Sequence, residues 1–296
     1  MSKRKFFLMM MSLLLIFSLV TISCSNDEDE EEGDQPADSK GESAEPAAAA
    51  GPLYTPNGKE GTLTGTVKFE GAAPAPAKIQ MEGDDFCAKA NPNATSESVV
   101  VNGDKLQNVI VYVKDGLKNS FNTPTEPVVL DQKNCQYNPH VVALQAKQQF
   151  KVTTSDETTH NIHPQPKNNK EWNKSQPPKG EPIIETFARS EVIPVKCNQH
   201  PWMKAYIGVF NSPFYAVTDK DGKYEIKGLP PGEYTIEAWH EKLGSTTEKV
   251  TITENGKQTL DFSSAKFAAK SASNSGGLKL GAVFTLPCCR PGHEMH

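Results

Sequence analysis

Seven residues, Cys197-Asn198-Gln199-His200-Pro201-Trp202-Met203, place a thiol, an imidazole and a thioether within one short stretch. Upstream, Thr159-His160-Asn161-Ile162-His163 offers two more imidazoles. A thiolate, two imidazoles and a weak axial thioether form the soft ligand set that suits an electron-transfer copper. The spacing from Cys197 to His200 and from His200 to Met203 lets one tight loop turn all three side chains inward. His160 and His163 are an odd number of positions apart, so on a strand they face opposite ways and only one of them is expected to bind. A binuclear copper site would need a second Cys in the loop, and residues 190–203 contain only Cys197. A zinc site would take harder or more numerous ligands and has no use for Met203.

The elements that must carry these residues read as strands. From Gly61 onward, short apolar runs are broken by Gly, Pro, Asn and Asp, with no long stretch of helical period, which predicts an all-β chain. Strands are expected at 62–69, 98–101, 109–113, 127–130, 141–144, 149–154, 183–187, 192–196 and 204–210. After Asn211-Ser212-Pro213 a second set follows at 215–218, 223–226, 233–239, 248–252 and 258–262. Cys197 then falls where a strand ends and a loop begins, the place where a rigid sandwich presents ligands. Asp219-Lys220-Asp221-Gly222 carries a hairpin signal and Pro230-Pro231-Gly232 marks another turn.

Two resemblances attach to these stretches. TDKDGKYEIKGLPPGEYTIEAWH resembles the carboxypeptidase-regulatory or transthyretin-like β-sandwich, and also the second domain of rhamnogalacturonan lyases; GTLTGTVKFEGAAPAP is similar to the module's first strand. This likeness speaks to fold and not to function. CQYNPHVVALQAKQQFKVTTSD with TTHNIHPQP and CNQHPWM, about 80 residues in all, resembles the cupredoxins, the amicyanins above all. That resemblance implies a Greek-key sandwich holding one type 1 copper through His160, Cys197, His200 and Met203, with His163 as the alternative to His160. It further implies a hydrogen bond from the backbone N–H of Asn161 to the Cys197 sulfur, and His200, on the exposed loop, as the electron exit. The segment Gln165 to Gly180 departs from the family in length and polarity.

The two sandwiches are expected as an insertion: 61–127 with 213–262 would form the transthyretin-like sandwich, and 128–212 the copper domain emerging from it. Consecutive domains split near 212 are the other arrangement. Lys3-Arg4-Lys5 before the apolar run Phe6 to Ile22 has the layout of a secretory signal over 1–23. Thr21-Ile22-Ser23-Cys24 resembles a bacterial lipobox, which implies lipidation of Cys24 and a tether to the membrane. Ser25 after it is similar to outer-membrane sorting signals, so the chain is expected outside the cytoplasm, lipid-anchored, facing the periplasm or the cell surface. Residues 24–59, with Asp27-Glu28-Asp29-Glu30-Glu31-Glu32, read as an acidic disordered spacer.

The formal charge is −5; removal of 1–23 takes away Lys3, Arg4 and Lys5, leaving 28 basic against 36 acidic residues, or −8. That balance argues against a nucleic-acid partner. With Cys24 lipidated, five Cys remain, so at least one thiol has no intramolecular disulfide partner. A metal at Cys197 would account for the odd thiol and leave Cys87 and Cys135 as the plausible disulfide. Residues 264–296 lose periodicity and end in a cluster of soft ligands, Cys288, Cys289, His293, Met295 and His296, which could form a weak metal-acquiring tail. No nucleophile elbow, phosphate loop, HExxH or haem CxxCH is present. An electron carrier served by a redox protein partner is therefore expected rather than an enzyme. The rival readings are a copper-delivery protein without redox cycling and a carbohydrate- or protein-binding module using Trp172 and Trp239 as exposed platforms.

Overall fold

The computed structural model describes residues 51–267. The signal segment, Cys24, the acidic run and the tail with Cys288, Cys289, His293, Met295 and His296 lie outside the described residues. In chain order the described part lays down β1 (Gly61–Lys68), α1 (Asp85–Ala90), β2 (Val101–Asn102), β3 (Lys105–Leu106), β4 (Ile110–Asp115), β5 (Val128–Lys133), β6 (Gln136–Asn138), β7 (Val141–Gln145), β8 (Phe150–Thr154) and β9 (His160–Pro164). It continues with β10 (Lys174–Gln176), β11 (Ile183–Glu185), β12 (Glu191–Lys196), β13 (Lys204–Phe210), β14 (Tyr215–Val217), β15 (Lys223–Leu229), β16 (Gly232–His240), β17 (Gly244–Ile252), β18 (Lys257–Thr259) and β19 (Phe262–Ser263). The all-β reading stands: four sheets make a pair of β-sandwiches.

The first sandwich joins the sheet β15-β1-β3-β2, with β18 and β19 parallel to β1, to the sheet β14-β4-β16-β17. Alternation builds its core: Leu63 and Val67 of β1, Tyr224 and Ile226 of β15, and Ile236 and Ala238 of β16 point inward, and their neighbours are more exposed along β1 and β15. The second sandwich joins β10-β9-β12-β13-β7 to β11-β8-β5-β6, around Leu130, Phe150, Ile162, Ile193 and Ile207. Strands before Asp115 and after Tyr215 thus belong to the first pair of sheets, and strands between Val128 and Phe210 to the second.

The sandwiches meet back to back. In β13, Ala205, Ile207 and Val209 face the second core, and Phe210 turns to a third cluster with Ile110, Val141 and Trp239, flanked by Tyr206. Both faces of β13 are covered, which is why Ala205 to Phe210 reads as an almost unbroken apolar run. A Cβ on Gly208 would stand 2.7 Å from Phe210 Cε2 and 3.0 Å from Ile110 Cδ1, so the close approach needs a glycine there.

Several boundaries differ from expectation. The DKDG turn forms, with Asp219 Oδ1 accepting from Asp221 N and Lys223 N and Gly222 at φ 65°, but it is not a hairpin: β14 pairs with β4 and β15 with β1. Pro230-Pro231 likewise passes the chain from one sheet to the other, since β16 pairs with β4 and β17. Turn chemistry reverses the chain, whereas burial of alternate side chains on two facing sheets selects the partners. Tyr54, expected in the spacer, donates its backbone N–H to Ser120 O at 2.9 Å and packs its ring on Phe121 at 5.7 Å. At the other end Phe267, expected in the tail, packs against the first core. The largest departure is the stretch between β1 and β2. Expected in the first sandwich, it crosses to the second, where Met81, Cys87 and Ala94 enter that core. Cys87 is bonded there to Cys135 across 48 residues of sequence.

His240 closes the β16–β17 hairpin, its Nδ1 accepting from Lys242 N at 3.2 Å and Leu243 N at 3.3 Å. Burial, assisted by His140 and Lys242 and opposed by Glu241, lowers its pKa to about 4. Below the ordinary value of 6.5 the unfolded chain takes up a proton that the folded ring refuses. The stability is therefore fully present above pH 6.5 and is lost as pH falls toward 4, by roughly 3 kcal/mol. His240→Asn keeps an acceptor and removes the titration. Urea unfolding followed between pH 7 and 4 is expected to show that much less acid sensitivity in the variant.

Candidate metal centre

β9 and the loop after β12 deliver the site. His160 opens β9 with its ring fully buried, and His163, three residues on, takes the other face. There His163 Nδ1 lies 3.1 Å from Asn198 Oδ1 and Nε2 lies 2.5 Å from Glu171 Oε1, away from the thiol. The 197–203 loop closes on itself through Cys197 N to Met203 O at 3.2 Å and Met203 N to His200 O at 2.9 Å. Asn161 stitches it to β9: its Oδ1 accepts from Asn198 N at 2.7 Å and Gln199 N at 3.3 Å. Its backbone N–H donates to Cys197 Sγ at 3.5 Å. Met203 is buried in the second core at the loop's end.

Donor atoms of His160, Cys197 and His200 lie within 4.8 Å of one another, and all three residues are buried. Cys197 is the free cysteine of the described residues; Cys87 and Cys135 are disulfide-bonded. Two acids orient the imidazoles from behind. His160 Nε2 is 2.9 Å from Asp156 Oδ2, and Asp156 also accepts from Asn134 N and Cys135 N. His200 Nε2 is 3.2 Å from Asp84 Oδ2. Neither acid was singled out in the sequence. Asp156 stands four residues before His160 as a possible signal, whereas Asp84 lies 116 residues from His200, with only its nearness to Cys87 to point to it.

An ionised carboxylate only accepts, so both imidazoles donate from Nε2 and turn Nδ1 toward each other, 2.9 Å apart. Two neutral rings in that arrangement would oppose lone pair to lone pair. The space between them therefore requires a proton or a cation. A proton there agrees with the raised His160 pKa: burial alone would lower it, but hydrogen bonds to Asp156 and Cys197 push it up to about 9. Burial alone would raise the Cys197 thiol, yet hydrogen bonds from His160, His200 and the Asn161 backbone bring it down to about 6. His200 is raised by Cys197 first, against burial, with Asp84 adding to the rise. For both acids burial pulls upward, and hydrogen bonding, from the Cys87 backbone and His200 for Asp84 and from His160 and backbone amides for Asp156, holds each below its ordinary value.

Two expectations are corrected. His200 is not an exposed edge: it is 4 % exposed, because α1 and the disulfide cover it, with Cys87 Sγ 3.8 Å from Nε2. Trp239 is buried between the sandwiches, and Trp172 packs on Phe187 with ring centroids 6.3 Å apart, so neither is an exposed platform. Within the polar segment from Gln165 to Gly180, β10 pairs with β9 beside the site.

Comparison with known proteins finds a carboxypeptidase regulatory-like domain model matching residues 198–265, from within the 197–203 loop through the last strand of the first sandwich. No curated protein matches the chain. Among solved structures it is similar to a Cu-containing nitrite reductase from Thermus scotoductus SA-01, at 18 % identity over 34 % of this chain and 25 % of that one, TM-score 0.28. The match thus takes in a quarter of the reductase's length. It is also similar to a purple cupredoxin from Nitrosopumilus maritimus, at 20 % identity over 28 % of this chain and 97 % of that one, TM-score 0.24. An oxidised amicyanin variant matches at 19 % identity over 28 % of this chain and 81 % of that one, TM-score 0.25.

Proposed function

We propose that the chain is an electron carrier with one type 1 copper, which His160, Cys197 and His200 would hold together with Met203. The observation that supports this most is the pair of Nδ1 atoms 2.9 Å apart, each ring turned by a carboxylate behind it, beside a buried thiol of lowered pKa. The donor set fits the ion: two imidazoles and a thiolate suit copper, and a thioether in addition disfavours zinc. Bound there, copper would supply a one-electron couple. The protein's part is to keep the donors still and dry. Asp156 and Asp84 hold the ring tautomers, Asn161 holds the loop, and the Asn161 N–H steadies the thiolate. The test is addition of copper to the purified chain, which should give an intense visible thiolate-to-copper band; a colourless protein with copper bound sinks the reading.

The carrier works outside the cytoplasm, tethered by lipid on Cys24, and exchanges electrons with a redox protein. The lipobox-like sequence supports the tether. Cells fed a labelled fatty acid should yield labelled wild type and unlabelled Cys24→Ala; label retained in the variant removes the anchor.

A further inference from the structure

His200 is held by a residue of the stretch that links β1 to β2 of the first sandwich and crosses to the second. The chain between β1 and β2 leaves the first sandwich, lays α1 against the second and returns. Asp84 caps α1, its Oδ1 accepting from Cys87 N at 2.9 Å. Its second oxygen accepts from Thr158 Oγ1 at 3.1 Å and faces His200 Nε2 at 3.2 Å. The Cys87–Cys135 disulfide fastens the same helix, with Cys87 Sγ 3.8 Å from that nitrogen. Asn91 Nδ2 adds bonds to Asn134 O at 3.2 Å and Gln136 Oε1 at 3.0 Å. His200 is left 4 % exposed although it sits in a surface loop.

We propose that Asp84 is a positioning residue for the metal centre, carried by the β1–β2 crossing as part of a fastened cap that sets the His200 tautomer and closes the ring's outer edge. This rests on the copper reading above. A carboxylate on the far nitrogen makes a ligand imidazole more basic, which favours the more oxidised metal, and a closed edge slows the ion's escape. Asp156 does the same for His160 from within its own sandwich, so the centre has an acid behind each ring and one of the two comes from the β1–β2 crossing.

Asp84→Ser separates the two duties of the residue, because serine caps a helix as well as aspartate but is too short to reach His200. The full chain, loaded with copper, is compared as wild type, Asp84→Ser and Asp84→Asn. The readouts are the visible spectrum, the reduction potential, and the rate at which bathocuproine disulfonate extracts copper from the reduced form. Asp84→Ser is expected to keep the visible band, to lose about tenfold in preference for the oxidised state, which is 59 mV upward for a one-electron couple, and to release copper at least tenfold faster. Asp84→Asn should fall between. An unchanged potential and extraction rate in both variants overturns the proposal while leaving the copper reading intact. Copper held without a visible band sinks the copper reading, and extraction then decides on Asp84 alone. A wild type that holds no copper overturns both.

Discussion

Cys197→Ser is expected to abolish the visible band and to weaken copper binding beyond the roughly 10- to 100-fold that loss of a group outside the ligand shell costs. A serine hydroxyl stays protonated at neutral pH and is a hard donor, so neither the charge nor the softness of the thiolate survives. The fold should tolerate the change. The side chains differ by one atom, and the loop is closed by backbone bonds, Cys197 N to Met203 O and Met203 N to His200 O, that do not involve sulfur. Thermal unfolding of the metal-free variant should therefore stay close to that of the wild type while the colour disappears. His163→Ala is the matching control, since His163 faces Asn198 and Glu171, and it should leave the band in place. A band that survives Cys197→Ser, or disappears in His163→Ala, would reassign the ligands.

Cys87→Ser combined with Cys135→Ser should have the largest effect on stability. The bond closes a loop of 48 residues, and chain entropy alone puts its loss at about 4 kcal/mol. For a folded unit of this size that is a fall of about 10 °C in Tm. Both sulfurs are fully buried, so two hydroxyls in their place add a desolvation cost. Differential scanning calorimetry checks the total, and hydrogen exchange locates it: protection should be lost first across residues 79–97. Equal loss of protection throughout the second sandwich would show that the disulfide supports the whole sandwich rather than the cap.

What the sequence makes legible here is local. The Cys197-His200-Met203 spacing, the odd distance from His160 to His163, and the alternation in β8 and β12 all lie within one element or one loop. The site's other half depends on which strands become neighbours. Asp84 lies in a Gly-Asp-Asp-Phe stretch with no strand period, and only its pairing across 116 residues with His200 gives it a role. The burial of His200 was illegible for the same reason, since a loop residue reads as exposed until something distant covers it. The pairing error at DKDG has another cause. A turn signal reports a local backbone reversal, and whether the chain then joins its own sheet or the facing one is decided by where its apolar face finds a partner.

β13 carries a consequence that concerns modularity. One face of this strand builds the core next to the ligand loop, and the other lies against Ile110 and Trp239 of the neighbouring sandwich. The chain joining β1 to β2 of the first sandwich answers by crossing over to bring Asp84 and Cys87 to the centre. The exchange runs both ways, so a cut at residue 212 would not separate two interchangeable parts: it would split the first sandwich between the halves, and the half with the thiol would lose Trp239 from over Tyr206 and Phe210. Fusion, shuffling or minimisation of this protein has to treat the two sandwiches as one heritable piece.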